Sequence, residues 1–383
     1  MKEGKILTGD VSLLGFGLMR LPKVAGNMSE IDYVASTKLV DYAMENGVNY
    51  FDTAYTYAGN EEFAGTVLSK FPRESYQIAT KCPPWKVNNA DDFERIFEEQ
   101  LRRCRTNYFD YYLIHNFAQE LMRAAGNEDS FAKFEKIGFY DMLKQKKAEG
   151  KIRALGFSFH GTIELLERFL NRYEVDFGQI QLNYIDWTAT DAERQYEMLL
   201  KRNIPIHIME PLRGGALAVL CEKSAQMLKD AVPDASIASW GIRYTASLPG
   251  VEKILSGMNA MEQIVDNMAT FQNFKPLTEQ EKELLNKAAI VYKQSGAIAC
   301  TGCEYCMPCP IGVNIPRIFA VYNHAHRVGY RIPFDNGYST LAEKEKAAAC
   351  TKCGKCTKEC PQQLNVPEYM HEIDAYSREL NST

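Results

Sequence analysis

The sequence predicts an α/β fold, a (β/α)8 TIM barrel followed by a small, mainly helical, cysteine-rich module. Two observations point there. Up to about residue 275, eight apolar strand-like runs alternate with amphipathic helical stretches, and eight of the eleven cysteines fall between Cys300 and Cys360. A doubly wound open sheet shares the alternation. Against it, no G-x-G-x-x-G follows the first strand-like run.

The eight runs are VSLLGFG (11–17), NYFDTA (49–54), YQIATK (76–81), YFDYYLIHN (108–116), IRALGFSF (152–159), FGQIQLNY (177–184), IPIHIMEP (204–211) and VEKILSG (251–257). Between them, stretches such as 31–46, 61–70, 91–104, 162–172 and 191–202 repeat their apolar residues at three- and four-residue steps, the helical period. Eight strand–helix repeats in this length suit a barrel. Residues 117–140 are long for a connection and are expected over the C-terminal mouth, where barrel enzymes react substrates. A plain helical decoration is the other reading of that stretch. One more amphipathic helix is expected at 278–293, and KQSGAIA (293–299) leads into the module. The expected domains are therefore 1–293 and 294–383, the second a set of short helices and loops punctuated by Pro308, Pro310, Pro316, Pro361 and Pro367.

Composition narrows the class. The net charge of −5 and scattered Lys and Arg leave no footprint for nucleic acid. The N-terminal segment MKEGKILTGDVSLLGFG has no signal-peptide core, and no apolar run nears the roughly 20 residues of a membrane span. The cytoplasm is the expected compartment, and there a cysteine cluster more often binds metal than forms disulfides. Cys82, Cys104 and Cys221, scattered through the rest, are expected to be core or surface residues.

The module carries two motifs, Cys300-Thr-Gly-Cys303-Glu-Tyr-Cys306-Met-Pro-Cys309-Pro310 and Cys350-Thr-Lys-Cys353-Gly-Lys-Cys356-Thr-Lys-Glu-Cys360-Pro361. The second is identical in spacing to the bacterial ferredoxin run C-x2-C-x2-C-x3-C-P, and the first is one residue shorter before its last Cys. In two-cluster ferredoxins the fourth ligand crosses from the other motif. That resemblance implies two [4Fe–4S] clusters, one on Cys300, Cys303, Cys306 and Cys360, the other on Cys350, Cys353, Cys356 and Cys309, and about eight iron atoms per chain. Two zinc sites are the alternative, but zinc usually takes paired C-x2-C motifs.

In the barrel part, Asp52 and Tyr57 follow run two, Lys81 ends run three and His115 ends run four. Strand ends of a barrel converge on one mouth. These residues sit in stretches that resemble the aldo-keto reductase family over roughly 8–275. They are Gly15-Phe16-Gly17 with Met19-Arg20, Phe51-Asp52-Thr53-Ala54-Tyr55-Thr56-Tyr57, Glu61, Gly65, Thr80-Lys81, Leu113-Ile114-His115, Lys151 to Ser158, and Gln181. The resemblance implies Tyr57 as general acid/base, Lys81 and Asp52 tuning it, and His115 holding the substrate oxygen. The residue types suit that chemistry. A phenol titrates near 10 unperturbed, and a neighbouring ammonium favours its ionised form.

The same resemblance implies NAD(H) or NADP(H) as cofactor, with Ser158 and Gln181 on the nicotinamide carboxamide. Arg213 is expected near the pyrophosphate, and Gly257, Gln263 and Asn267 at the adenosine end. The chain departs from the pattern at Phe159 and Met209, and basic residues that grip a 2′-phosphate are missing at Gly257 and Gln263. The expected reaction interconverts a small carbonyl substrate and its alcohol, with the clusters exchanging electrons with a partner protein. A flavin, which bridges hydride and single-electron chemistry, has no motif here. The contrasting reading is an electron-transfer or assembly protein whose barrel is a scaffold.

Overall fold

The computed structural model describes residues 3–4, 11–24, 27–116, 130–272 and 274–379. Its contacts divide the chain into two compact units, Met1–Pro211 with Ala238–Leu277, and Leu212–Ile237 with Thr278–Thr383.

The first unit is built on a closed barrel of eight parallel strands. In chain order these are Leu14–Gly17, Tyr50–Asp52, Gln77–Cys82, Phe109–His115, Ile152–Phe159, Phe177–Gln181, Ile206–Met209 and Val251–Ser256. Each lies inside one of the eight apolar runs, except that the third extends one residue beyond its run, to Cys82. The last strand pairs with the first through Ile254 and Leu14, which closes the ring. Outside it run helices such as Tyr33–Glu45, Asn60–Leu68, Ala90–Arg103 and Ile163–Leu170. On Ala90–Arg103 the buried residues are Phe93, Ile96, Phe97, Gln100 and Leu101, the i, i+3, i+4, i+7, i+8 stripe of a helix laid on a sheet. Asp32, Asn89 and Thr162 cap their helices, each accepting from a backbone N–H three residues on.

Of the expected long connection, residues 117–129 lie outside the described residues. Its remainder continues as helices Ser130–Lys136 and Phe139–Ala148. None of the described helices is long and apolar enough to cross a membrane.

The second unit is mainly helical. Glu279–Lys293, opened by a Thr278–Glu281 capping box, packs on Glu222–Ala231, and the Ser224 hydroxyl donates to the Ala288 carbonyl. The cysteine-rich part holds helices Ile315–Val328 and Val366–Arg378, longer than the short helices expected. The prolines do not shorten them because Pro316 and Pro367 sit in the first turn, where the missing N–H has no helical partner to lose. Ile315, Ile318, Phe319, Met370 and Ile373 form a core of their own, with six of the cysteines packed against it.

Candidate active site

Parallel strands deliver their C-terminal residues to one rim, so the registers fix which side chains meet. Asp52 pairs with Ala79, Lys81 with Leu113, and His115 with Ser158 on adjacent strands. Lys81 Nζ donates to Asp52 Oδ1 at 2.6 Å and to the Thr53 carbonyl at 2.8 Å, and both charged side chains are buried. Burial pulls the Lys81 ammonium below its ordinary pKa and pushes the Asp52 carboxyl up, and each opposes the other's shift. The Tyr57 ring is half-buried, with its centre 5.1 Å from Lys81 Nζ. It stands edge-on to His115, with ring centres 5.9 Å apart. Trp85 lies 5.4 Å from the same imidazole, and the Thr56 hydroxyl is 3.4 Å from its Nδ1. All four residues expected at the mouth are thus brought together.

A polar cluster behind Lys81 was not anticipated. The buried Glu61 carboxylate accepts from Thr80 Oγ1 at 2.7 Å and Gln100 Nε2 at 2.6 Å, and Arg103 Nη1 lies 3.2 Å from its other oxygen. Gln100 Nε2 also lies 3.2 Å from the Lys81 carbonyl, while Tyr112 donates to Gln100 Oε1. The cluster therefore braces the backbone that presents Lys81. Its signal in the sequence is a glutamine in the apolar stripe of helix Ala90–Arg103. Cys82 is fully buried, and burial pushes its thiol up, which makes it a packing residue rather than a nucleophile.

The expected cofactor residues are distributed as follows. Ser158 Oγ accepts from the Asn116 backbone at 3.1 Å, which leaves its own proton to donate. Gln181 Nε2 is engaged by Asp186 Oδ2 at 2.7 Å, and Asn183 Nδ2 reaches the same oxygen at 2.6 Å. His160, next to Phe159, bonds Gln181 as well. Burial pulls this imidazole down to about 4 against the opposing pull of Asp186 and Gln181, so it is neutral at pH 7. Gln263 accepts from the Asn259 N–H at 2.8 Å, and Asn267 donates to Ser256 at 2.9 Å, so both brace the turn after the last strand. In that turn, the Arg20 side chain packs over Gly257.

Arg213 belongs to the second unit. It is buried and followed by Gly214 and Gly215, which have φ of 64° and 90°. A Cβ on Gly214 would overlap the Thr301 carbonyl, so this glycine is needed for packing beside the first cysteine motif.

Two buried acceptors, Asp52 Oδ2 and Thr53 Oγ1, have no hydrogen-bond partner among the described residues. They suit the hydroxyls of a nucleotide ribose, and with Ser158 they fit a nicotinamide nucleotide. Gln181 fits it less simply, because Asp186 already holds its amide nitrogen.

In the cysteine module, Cys300, Cys303, Cys306 and Cys360 line one pocket, walled by Ile315, Phe319, Leu364 and Val366. Cys309 is not part of that lining. Burial pushes the Cys306 thiol up, and the neighbouring thiols Cys303, Cys300, Cys360 and Cys356 add to the effect. Burial also raises Cys356, with Cys350 and Cys353 acting on it in turn. Among the described residues, no three His, Cys, Asp or Glu side chains close on a single-ion position. Sulfurs spread around an apolar cavity fit a multi-iron cluster better than one tetrahedral zinc.

Comparison with known proteins gives the same division. A model of the aldo/keto reductase family matches residues 13–290, and a 4Fe-4S dicluster domain matches residues 299–365. L-galactose dehydrogenase of Arabidopsis thaliana is 25% identical over 306 residues, covering 73% of this chain and 91% of the relative. The NADH-specific methylglyoxal reductase of Escherichia coli is 23% identical over 328 residues, covering 70% and 93%. An aldo-keto reductase from Klebsiella pneumoniae, solved in complex with NADPH, superimposes with a TM-score of 0.58 at 19% identity, covering 74% of this chain and 92% of that one. At that identity the likeness speaks for the fold alone.

Proposed function

Because the chain belongs to the aldo/keto reductase family and carries a C-terminal 4Fe-4S dicluster domain, we propose that this oxidoreductase interconverts a small carbonyl compound and its alcohol with NAD(H) or NADP(H). One observation carries the reading: the buried Lys81–Asp52 pair, 2.6 Å apart, lies beside a tyrosine that faces His115. A bound nicotinamide would supply or accept the hydride. Tyr57 gives a proton to the carbonyl oxygen in reduction and takes it back in oxidation. Lys81, protonated and fixed by Asp52, favours the phenolate that follows proton donation. His115 donates to the same oxygen and orients it. Trp85 and Thr56 hold the imidazole in place.

Asp52, Thr53 and Ser158 are the residues best placed to hold the nicotinamide half. Gln263 and Asn267 stiffen the turn at the adenosine end, where the Arg20 side chain packs over Gly257. No basic residue stands at 257 or 263 to meet a 2′-phosphate, but that arginine lies over Gly257, so NADH and NADPH are both to be tested; the Escherichia coli relative is named as NADH-specific. In the module, Cys300, Cys303, Cys306 and Cys360 would hold one [4Fe–4S] cluster, and Cys350, Cys353, Cys356 and Cys309 the other. These clusters supply one-electron exchange with a partner protein.

The test is anaerobic purification followed by titration with NADH and NADPH and turnover of small aldehydes. Wild type is expected to bind nucleotide and turn over, whereas Tyr57→Phe binds nucleotide, keeps its iron and loses about a hundredfold or more in kcat. A wild-type chain that binds neither nucleotide ends the reading.

A further inference from the structure

The two cysteine motifs differ in what surrounds the ligands. Between Cys300 and Cys309 stand Thr301, Gly302, Glu304, Tyr305, Met307 and Pro308, with no cation. Between Cys350 and Cys360 stand Lys352, Lys355 and Lys358, each placed one residue before or two residues after a cysteine, with a single acid, Glu359. All three lysines are exposed, and none makes an ion pair among the described residues. Lys344, also exposed, precedes the motif, whereas Lys346 is tied to Glu343 at 2.6 Å. Cys353, between Lys352 and Lys355, is the one exposed cysteine among the described residues. The first motif's cysteines, by contrast, are each partly buried, and three of them line the apolar-walled cavity with Cys360.

Electron transfer between proteins needs a redox group near the surface and a partner held there briefly. Local charge raises the encounter rate and orients the partner without requiring a large interface. The chain as a whole is acidic, at −5, so an acidic partner gains nothing from approaching most of its surface. The lysine-bearing second motif reverses that sign at the place where a cysteine ligand is exposed.

We propose that the Lys352–Lys355–Lys358 face docks a small, strongly acidic one-electron carrier protein, with the Cys350–Cys353–Cys356 site as the point of electron exchange. The inference rests on the reading of the module as an electron carrier. In the exchange, one electron leaves the reduced partner and one enters the cluster, with no bond made and no proton moved at the docking face.

The experiment uses the full-length, cluster-loaded chain and reads cluster reduction optically and by EPR, without substrate. The donors are a reduced acidic flavodoxin and a small uncharged photoreductant. Wild type is expected to be reduced by flavodoxin at a rate that falls steeply as salt rises from about 20 to 300 mM, the range over which the Debye length contracts. Lys352→Glu/Lys355→Glu/Lys358→Glu is expected to slow that reduction about tenfold or more at low salt, and the corresponding triple Gln variant by less. Both variants keep wild-type iron and the wild-type rate with the uncharged reductant. The Gln variant serves if the Glu variant loses its iron. A flavodoxin rate indifferent to salt and to both substitutions overturns the docking face and leaves the electron-carrier reading intact. Reduction by the uncharged reductant but not by flavodoxin likewise overturns the docking face, and failure of both donors to reduce wild-type clusters overturns the carrier reading itself. Equally tight, salt-dependent binding of duplex DNA would mark a general anion surface and also overturn the proposal.

Discussion

Lys81 Nζ and Asp52 Oδ1 form a buried ion pair at 2.6 Å, and the ammonium also donates to the Thr53 carbonyl. Burial opposes charge on both partners, and each favours the charged form of the other. Removing one partner leaves the second charge buried and unpaired, a change worth about 3–5 kcal/mol in comparable sites. Replacing Lys81 with Met should therefore do two separable things. The barrel loses stability, and kcat for carbonyl reduction falls by about 10²–10⁴, the usual worth of a positioned acid–base group. Nucleotide affinity, measured by fluorescence titration, should stay within about threefold. A Lys81→Met enzyme with normal kcat would show that Tyr57 works without its ammonium.

Gly65 tests the brace behind that pair. An added Cβ would overlap the Arg103 carbonyl and crowd the Cys104 backbone, and neither can swing aside as a side chain can. The helix carrying Glu61 must then shift from Thr80, Gln100 and Arg103. Gly65→Ala should cost on the order of 3 kcal/mol, the upper end of ordinary overpacking, and lower the anaerobic Tm by roughly 5–10 °C. Because Gln100 also lies within reach of the Lys81 carbonyl, kcat should fall with stability. A Gly65→Ala barrel of wild-type Tm would mean that the two helices stand farther apart than these contacts require.

The cysteine assignments separate in an iron count. Cys306 lines the first cavity with Cys300, Cys303 and Cys360 and is pressed by the Ile315 and Phe319 wall, whereas Cys353 is exposed in the second motif. Cys306→Ser and Cys353→Ser should each lower bound iron from about eight to about four, with distinct EPR signals remaining in the two variants. Chains that keep all their iron in both variants would contradict the ligand sets.

The barrel was legible because its strands are short, buried on both faces and separated by helices with a clean 3.6-residue period. That Asp52, Tyr57, Lys81 and His115 would come together was legible because each lies at the C-terminal end of such a strand or closely follows one. The supporting polar contacts were not. Glu61, Gln100 and Arg103 meet across about 40 positions of sequence, where no local period registers the pairing. Asp186 holds Gln181 from a short helix that no apolar repeat announces. His207 and Lys253 were also hidden. They fall within runs that read as continuous apolar strands, yet both point into a buried layer of the barrel beside Tyr50.

That layer yields a stability prediction whose sign is fixed by pH. Lys253 is the register partner of His207 on the neighbouring strand, and burial pulls its ammonium down to about 8 against the opposing pull of Glu252. An unfolded lysine titrates near 10.4. Between those values the unfolded chain binds more protons than the folded one, so this group's contribution to stability rises with pH. Below about pH 8 both states are protonated, and the folded chain bears the full burden of a buried ammonium, on the order of 3 kcal/mol. Lys253→Met should consequently raise Tm at pH 7 and lose most of that advantage at pH 10. Taking the difference between variant and wild type at each pH cancels the titration of the buried tyrosines, whose raised pKa values act in the opposite direction. Anaerobic thermal melts at the two pH values measure it. A gain of equal size at both would show that folding leaves the Lys253 pKa near its unfolded value, and a loss at pH 7 would show that its contact with the Glu252 carbonyl outweighs its burial.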